Sequence, residues 1–259
     1  MRTRAKLFKR SHALVRQLPS FVGGVHSFIW LHILKSSDLN EITTDSYRDE
    51  VRDSFGREMH NLRGLWAWEE AAFGQLFPGR RRILVAGAGG GREVIALAKL
   101  GHEVSGFDAS EELTRDCVDN LRTSGVTAKI DHAPPGEVPA GPRSHDALVI
   151  GRGVYHHIPG RKNRVKFLAA CRERIEDNCP VFLGDFLIRG ETGHRLTAIS
   201  PLDTVERGDS ISYSFYHYFT PNEVRIELDL AGFELVEYRS TPFPGSERSL
   251  GHVLARSKS

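Results

Sequence analysis

Four closely spaced glycines, followed at a distance by one aspartate, are the residues of this chain best suited to bind a nucleotide. Gly87, Gly89, Gly90 and Gly91 follow a short apolar run, and Asp108 ends the next such run, 17 residues after Gly91. Glycines let a backbone turn sharply and approach a ligand closely. A carboxylate at the end of the following run is placed to accept the hydroxyls of a ribose. The pattern therefore predicts a nucleotide site.

A strand, a helix and a second strand must hold these residues in place. Residues 83–86 and 104–107 are short apolar runs, and residues 94–100 carry apolar side chains at helical spacing. The glycine turn thus joins a strand to the start of a helix, where free N–H groups and the helix dipole favour a ligand. The segment is the first half of a nucleotide-binding βαβ unit.

The glycine spacing separates two classes of nucleotide-binding protein. A dinucleotide fingerprint, G-x-G-x-x-G, would need its third glycine at Arg92 or at Val94. The chain has G-x-G-x-G at Gly87, Gly89 and Gly91 instead. This resembles motif I of the class I S-adenosylmethionine (SAM)-dependent methyltransferases.

The resemblance covers residues 76–256. Further strands are expected at 126–130, 147–150, 181–183, 234–239 and 251–256. Thr220, Pro221 and Glu223 predict the start of a helix with a capping box, and Gly232 predicts its end. The sequence FTPxE followed by AGFE is a common ending of small-molecule methyltransferases.

The resemblance implies an α/β fold that is Rossmann-like, with a seven-stranded, mostly parallel sheet, an antiparallel last strand and helices on both faces. Residues 76–259 are expected to form this SAM-binding domain, with a lid insertion at about 189–219. Residues 1–75 are expected to form an N-terminal helical extension that covers the pocket. Within it, residues 47–77 are predicted to be helical, with an apolar stripe formed by Met59, Leu62, Leu65, Trp66 and Phe73.

The resemblance also implies which residues hold SAM and its product S-adenosylhomocysteine (SAH). Asp108 is expected to take the ribose hydroxyls, and either Asp131 or His132 to meet the adenine. The other expected contacts are the glycine turn at Gly87, Ala88, Gly89 and Gly91, the adenosine side at Ala109 and Ser110, and the methionine end at Gly151 and Arg152. Many members carry an acid two residues before the first glycine, where this chain has Val85. Glu93 is expected to lie in a solvated first helical turn, where the helix dipole favours it.

Three histidines are candidate bases for the acceptor. His156 and His157 follow the fourth strand, at the edge of the sheet where ligands bind. His217 lies among five aromatic residues between Tyr213 and Phe219. These histidines either remove a proton from the acceptor or fix the loops, and the aromatic residues either stack on the acceptor or anchor the lid to the core.

Several classes of function are disfavoured. Asp185 ends the fifth strand, but the acid–amide pair of the metal-dependent branch does not follow it, so we predict no metal. Cys117, Cys171 and Cys179 have neither metal-ligand spacing nor a paired count, which favours a reducing cytoplasm. The net charge of +2 argues neither for nor against nucleic acid, but the absence of an Asn/Asp-Pro-Pro-Tyr motif and of an extended basic stripe argues against nucleic acid as the acceptor.

The first residues are basic, and the apolar stretch at 21–34 is too short and too polar to span a membrane. The favoured interpretation is a helix packed on the core or on a second subunit in a homodimer. The alternative is weak association with an anionic membrane surface.

The sequence therefore predicts a SAM-dependent methyltransferase that acts on an oxygen or nitrogen atom of a small molecule. Two alternatives stay open, a NAD(P)-dependent oxidoreductase and a SAM-fold protein that only binds a partner.

Overall fold

The computed structural model describes residues 3–17, 20–47, 58–79, 81–190, 197, 205–242 and 249–259. Within these ranges the helices are α1 (Thr3–Val15), α2 (Ser20–Ile33), α3 (Ser36–Ser46), α4 (Glu58–Leu62), α5 (Ala67–Leu76), α6 (Arg92–Lys99), α7 (Glu111–Thr123), α8 (Arg161–Arg172) and α9 (Pro221–Leu230). The strands are β1 (Arg82–Ala86), β2 (Glu103–Asp108), β3 (Lys129–His132), β4 (Ala147–Ile150), β5 (Pro180–Leu187), β6 (Asp209–Ile211), β7 (Phe215–His217), β8 (Phe233–Pro242) and β9 (Ser249–Ser257).

Seven strands form one sheet in the order β3-β2-β1-β4-β5-β9-β8. Strands β1 to β5 pair in parallel, and β9 runs antiparallel to both of its neighbours. The Rossmann-like sheet predicted from the sequence is therefore confirmed, including its antiparallel last strand. The central strand β4 is buried at every residue, as a parallel strand covered on both faces must be.

Helices cover both faces of this sheet, and each face has its own apolar core. On one face α8 and α9 contribute buried residues that include Phe167, Leu168 and Leu228. On the other face α5, α6 and α7 contribute Phe73, Leu97 and Leu121, among others. Of the positions at helical spacing after the glycine turn, Val94, Ile95 and Leu97 are thus core positions, whereas Leu100 is exposed.

Several strand boundaries differ from the prediction. Strand β3 begins at Lys129 rather than at residue 126. Strand β8 was predicted to end at residue 239 and continues to Pro242. Strand β5 was predicted at residues 181–183, reaching Asp185, and continues to Leu187. The apolar run breaks at Gly184, where a Cβ atom would lie 3.0 Å from the carbonyl oxygen of Ile150. The close approach of β4 thus requires a glycine there without ending the strand.

The predicted capping of α9 is present. Thr220 Oγ1 accepts a hydrogen bond from the Glu223 N–H at 3.3 Å, and the Thr220 N–H donates to Glu223 Oε2 at 2.7 Å. Pro221 occupies the first turn, and Gly232 follows the helix with a φ of 84°. This end of the chain is therefore specified by local sequence.

The first three helices pack against the β6–β7 hairpin rather than against the main sheet. Phe8, Leu31, Ile42, Ile211 and Phe215 share a third apolar core. The Phe215 N–H donates to Thr43 Oγ1 at 3.2 Å, and the Ile211 N–H donates to Ser27 Oγ at 3.0 Å. These helices and the hairpin, which comes from the predicted lid segment, thus form one packed body.

The helical stretch predicted for residues 47–77 is interrupted. Helices α4 and α5 are separate, and Gly64 lies between them with a φ of 87°. Residues 48–57 and the Met59 side chain lie outside the described residues. Of the predicted stripe, Phe73 is buried and Leu62 and Leu65 pack on the same core, whereas Trp66 caps α5. No helix among the described residues has the length and apolar character needed to cross a bilayer.

Candidate functional site

A cavity of about 610 Å³ opens where the parallel strands end. Its volume lies within the range of small-molecule sites. The turns after β1, β2 and β4 form its floor, and α3 and the β6–β7 hairpin contribute to its walls. Ligands bind at this edge of open α/β sheets because the loops after neighbouring strands diverge there.

The glycine turn after β1 borders this cavity through Gly87, Ala88, Gly89 and Gly90. Gly87 and Gly89 have left-handed φ values of 80° and 52°, and a Cβ atom on Gly87 would lie 2.0 Å from Val154. Gly91 does not line the cavity. A Cβ atom there would lie 2.9 Å from the Cys117 sulfur, so the third glycine of the motif lets α6 and α7 approach each other.

Asp108 ends β2 and faces the same cavity. Its Oδ2 accepts a hydrogen bond from the Gly89 N–H at 2.8 Å, and its Oδ1 accepts one from the Ser110 N–H at 2.8 Å. Burial raises the pKa of this carboxyl group, and backbone N–H groups oppose the shift. Each carboxylate oxygen keeps a further lone pair, so the fixed carboxylate can accept two hydroxyl groups. Ala109 and Ser110 border the cavity beside it.

The structure does not place Asp131 or His132 on the cavity. Asp131 forms a 3.0 Å ion pair with Lys129 and borders a different depression, and His132 is exposed. Because β3 runs to His132, the residues that emerge beyond its carboxyl end are those of the next loop. That loop, residues 133–137, lines the cavity in their place.

Gly151 and Arg152 follow β4 but have different roles. A Cβ atom on Gly151 would lie 2.5 Å from the Gly87 carbonyl oxygen, so this glycine lets two loops approach and does not itself border the cavity. Arg152 lines the cavity, and its Nε lies 3.4 Å from Asp185 Oδ2. Of these two expected SAM contacts, Arg152 therefore borders the cavity, whereas Gly151 serves the packing of the loops.

A buried charge cluster adjoins the glycine turn. Arg92 donates two hydrogen bonds to Glu69, at 2.5 and 2.7 Å, and one to Glu93 at 2.5 Å. All three residues are buried, and burial raises the pKa of Glu93. The expectation that Glu93 is solvated is wrong. Helix α4 packs against α6, and Glu69 of α5 binds Arg92 in its first turn, long-range contacts that helix position alone does not reveal.

Asp185 lies deep in the cavity wall, beside Arg152. Only 3% of its surface is exposed, and no described residue donates a hydrogen bond to its Oδ1. Burial raises the pKa of this carboxyl group to about 7, against the opposing charge of Arg152. An unpartnered buried carboxylate oxygen is costly unless a ligand satisfies it.

His156 and His157 form a one-turn helix after β4, and both line the cavity. The Nδ1 of His157 lies 2.7 Å from the Phe215 carbonyl oxygen, which can only accept a hydrogen bond. Nδ1 therefore carries the proton, and in the neutral ring Nε2 is left as an acceptor. Burial lowers the pKa of His157 to about 4 and that of His156 well below its usual value, so both rings are neutral near pH 7.

Side chains of the aromatic segment alternate between core and cavity. Phe215, His217 and Phe219 are fully buried, whereas Tyr216 and Tyr218 line the cavity, together with Tyr213. Phe215 and Phe219 therefore anchor the segment to the core, whereas stacking on the acceptor stays a prediction for the three tyrosines. Tyr47, which directly follows α3, also lines the cavity, and its ring lies 5.7 Å from that of His157. Sequence analysis did not single out this residue.

His217 lies outside the cavity. Its Nδ1 is 2.7 Å from Asp209 Oδ1 and 3.8 Å from Glu206 Oε2. This trio could in geometry hold a metal, but Glu206 already binds Arg164 at 2.6 Å, and the Glu206 N–H donates to Asp209 Oδ2 at 2.8 Å. A cation would have to compete with the buried guanidinium, so the trio belongs to an ion-pair network.

Comparison with known proteins agrees with this architecture. Residues 83–178 match the family model described as a methyltransferase domain. No curated protein sequence matches the chain.

The solved structures that share the fold include three methyltransferases. A SAM-dependent methyltransferase from Methanosarcina mazei has a TM-score of 0.62 at 20% identity, over 75% of this chain and 98% of its own. The 1,6-didemethyltoxoflavin-N1-methyltransferase of Burkholderia thailandensis was solved with 1,6-didemethyltoxoflavin and SAH. It has a TM-score of 0.64 at 18% identity, over 85% of this chain and 88% of its own. The CcbJ methyltransferase of Streptomyces caelestis has a TM-score of 0.60 at 18% identity, over 84% of this chain and 99% of its own.

The strand order, the glycine turn with Asp108 and the matched family model agree with one another. Residues 83–178 are similar to a methyltransferase domain, and the chain has the Rossmann-like fold of solved SAM-dependent methyltransferases.

Proposed function

We propose that this protein transfers a methyl group from SAM to an oxygen or nitrogen atom of a small molecule. One observation carries the proposal: a single cavity is bordered both by the glycine turn with Asp108 and by His157 with the tyrosines of the β6–β7 hairpin. A donor and an acceptor can thus share one enclosed space. The similar Burkholderia enzyme, solved with 1,6-didemethyltoxoflavin and SAH, supports this assignment.

The nucleoside part of SAM fits the side of the cavity formed by the first two strands. Asp108 is fixed by two backbone N–H groups and keeps lone pairs for the ribose hydroxyls. Gly89 has open space where a side chain would project, so a ligand can lie directly on the backbone.

The methionine part fits the charged side near Arg152. The Oδ1 atom of Asp185 lacks a donor among the described residues, and an ammonium group would supply one. Arg152, 3.4 Å from the other carboxylate oxygen, would bind the methionine carboxylate. Asp185 therefore takes the role of the acid that many relatives carry two residues before the first glycine, where this chain has Val85.

SAM would supply a methyl group bonded to a sulfonium sulfur. A lone pair of the acceptor would form the new bond to the methyl carbon, and the electron pair of the C–S bond would pass to sulfur. Much of such catalysis is alignment. The remaining task is to accept the proton that the acceptor loses, and His157 Nε2 suits it, because the tie from Nδ1 to the Phe215 carbonyl fixes its tautomer. Methylation of a hydroxyl oxygen makes that proton strongly acidic, so a weakly basic imidazole suffices for such an acceptor.

The first prediction concerns the nucleotide. SAM and SAH are expected to bind and to raise the melting temperature, whereas NADH is expected to do neither, because the third glycine of a dinucleotide fingerprint is absent. Calorimetric titration with SAH and with NADH checks this. Binding of NADH without SAH would favour an oxidoreductase, and binding of neither would favour a SAM-fold protein that only binds a partner.

The second prediction concerns Asp108. Because hydrogen bonds to a charged group contribute roughly 1.5–3 kcal/mol each, Asp108→Ala is expected to weaken SAH binding at least about tenfold in a protein that still folds. Asp131→Ala is the matched control, since Asp131 lies on the neighbouring strand but faces away from the cavity. Equal affinities of the two variants, measured by calorimetry, would show that the ribose is held elsewhere.

A further inference from the structure

The outer sides of α1 and α2 carry apolar side chains that the described chain leaves exposed. Leu7 and Leu14 are 51% and 78% exposed, and Val22, Ile29 and Ile33 are also exposed. Residues seven or four apart share one side of a helix, so each helix presents an apolar stripe. We call the sides with these five residues the α1–α2 face.

This concentration is specific to the two helices. The described residues include ten exposed large hydrophobic side chains, and five of them lie on the α1–α2 face. The other five are scattered over separate elements: Leu100, Val118, Tyr213, Leu230 and Val236. Single exposed apolar residues are normal, whereas grouped ones indicate an interaction surface.

The two helices are firmly packed, so the exposure does not reflect a loose segment. Phe8 is fully buried, and its ring lies 5.8 Å from that of Trp30 and 5.6 Å from that of His26. The Ile211 N–H of the β6–β7 hairpin donates to Ser27 Oγ on α2 at 3.0 Å. The inner sides of α1 and α2 thus pack against the rest of the chain, whereas their outer sides are exposed to solvent.

The charge around this face has one sign. The first acidic residue of the chain is Asp38, and seven lysines and arginines precede it. Lys9 pairs with Asp45, whereas Lys6 and Arg10 are exposed on α1 and Arg16 is exposed directly after it. Arg10 lies three residues after Leu7 and four before Leu14, so positive charge and apolar surface share one side of the helix.

We propose that the α1–α2 face docks on an anionic lipid bilayer, with its apolar side chains at the acyl boundary and its basic side chains on the lipid phosphates. Amphipathic helices with a basic polar side bind membranes in this way without crossing them. A second copy docked through the same face would bring two positively charged surfaces together, which disfavours a symmetric dimer. The proposal is independent of the methyl-transfer function.

Co-sedimentation of the full chain with vesicles tests the proposal. The protein is expected to bind vesicles of equal parts phosphatidylcholine and phosphatidylglycerol, to bind pure phosphatidylcholine far less, and to be released by salt. The double variant K6E/R10E is expected to lose at least about 25-fold in partition, since each basic residue near such a surface contributes about fivefold. L7S/L14S is expected to lose at least about tenfold, because exposed leucines insert at the boundary.

Matched controls lie elsewhere on the surface. K162E/K166E reverses two exposed charges on α8, and L100S replaces an exposed leucine after α6, so both are expected to partition like the unaltered chain. Melting temperatures of all variants show that each is folded. The proposal is overturned if the chain does not bind anionic vesicles, or if the face variants partition like their controls. It is also overturned if gel filtration shows a dimer that L7S/L14S dissociates, since a second copy then covers the face.

Discussion

Replacing His157 by alanine is expected to lower turnover about a hundredfold and to leave SAH affinity unchanged. The ring accepts the acceptor's proton through Nε2, and loss of a general base costs at least this factor. Nδ1 also holds the Phe215 carbonyl at 2.7 Å, so alanine removes a tie to the β6–β7 hairpin as well. Turnover with a labelled methyl donor and calorimetry with SAH measure the two effects.

His157→Asn separates the two roles. The asparagine amide can donate to the Phe215 carbonyl in place of Nδ1, but it leaves no basic nitrogen at the position of Nε2. If proton removal matters, both variants are expected to lose turnover equally. If His157→Asn restores turnover, the histidine only positions the hairpin, and the acceptor is an amine or a group that is already ionised.

The pH profile gives a further check on the same residue. Because burial lowers the pKa of His157 to about 4, its neutral form is present at all higher pH values. Turnover at saturating SAM is therefore expected to stay level from about pH 5 upward, with an acidic limb centred near pH 4. A limb near pH 6.5 that disappears in His157→Asn would contradict the assigned environment.

Asp185→Asn is expected to stabilise the protein at pH 8 while weakening its affinity for SAH at least about tenfold. The folded protein holds the pKa of Asp185 at about 7, above its ordinary value of 3.8. Between these values the folded state binds the extra proton, so stability falls as the pH rises and the full cost is present above pH 7. Removing the charge recovers up to about 4 kcal/mol of unfolding free energy at pH 8.

The affinity for SAH is expected to depend on pH in the opposite direction to stability. Protonated Asp185 cannot attract an ammonium group, so SAH affinity should fall as the pH drops below 7 in the unaltered chain and stay level in Asp185→Asn. Asp119→Asn, which alters an exposed aspartate paired with Arg122, is the control and should change neither property. Thermal unfolding and calorimetry at pH 6 and pH 8 measure both. A variant that binds SAH as tightly as the unaltered chain at pH 8 would remove Asp185 from the methionine site.

Signals confined to a few neighbouring residues predicted much of the fold. The spacing of Gly87, Gly89 and Gly91 indicated the nucleotide turn, and apolar periodicity located α6, because both depend on backbone conformation over one or two turns of chain. The capping box at Thr220 and Glu223 likewise acts within three residues. Strand β3 was misplaced by three residues at its start, since an edge strand of four residues carries little periodicity.

The charged and catalytic parts of the site depend on contacts between distant segments. Arg92 and Glu69 are 23 residues apart, and His157 and Phe215 are 58 apart, so no local pattern could reveal that these groups meet. In the sequence His217 was a candidate base like His156 and His157, but in the structure it is buried outside the cavity and bonded to Asp209. The sequence alone thus specified the sheet and the place of the nucleotide, through local backbone preferences. Only the packing of α3, α4 and the β6–β7 hairpin around the cavity decided which side chains border it, because desolvation and pairing of charges are set by partners remote in the chain.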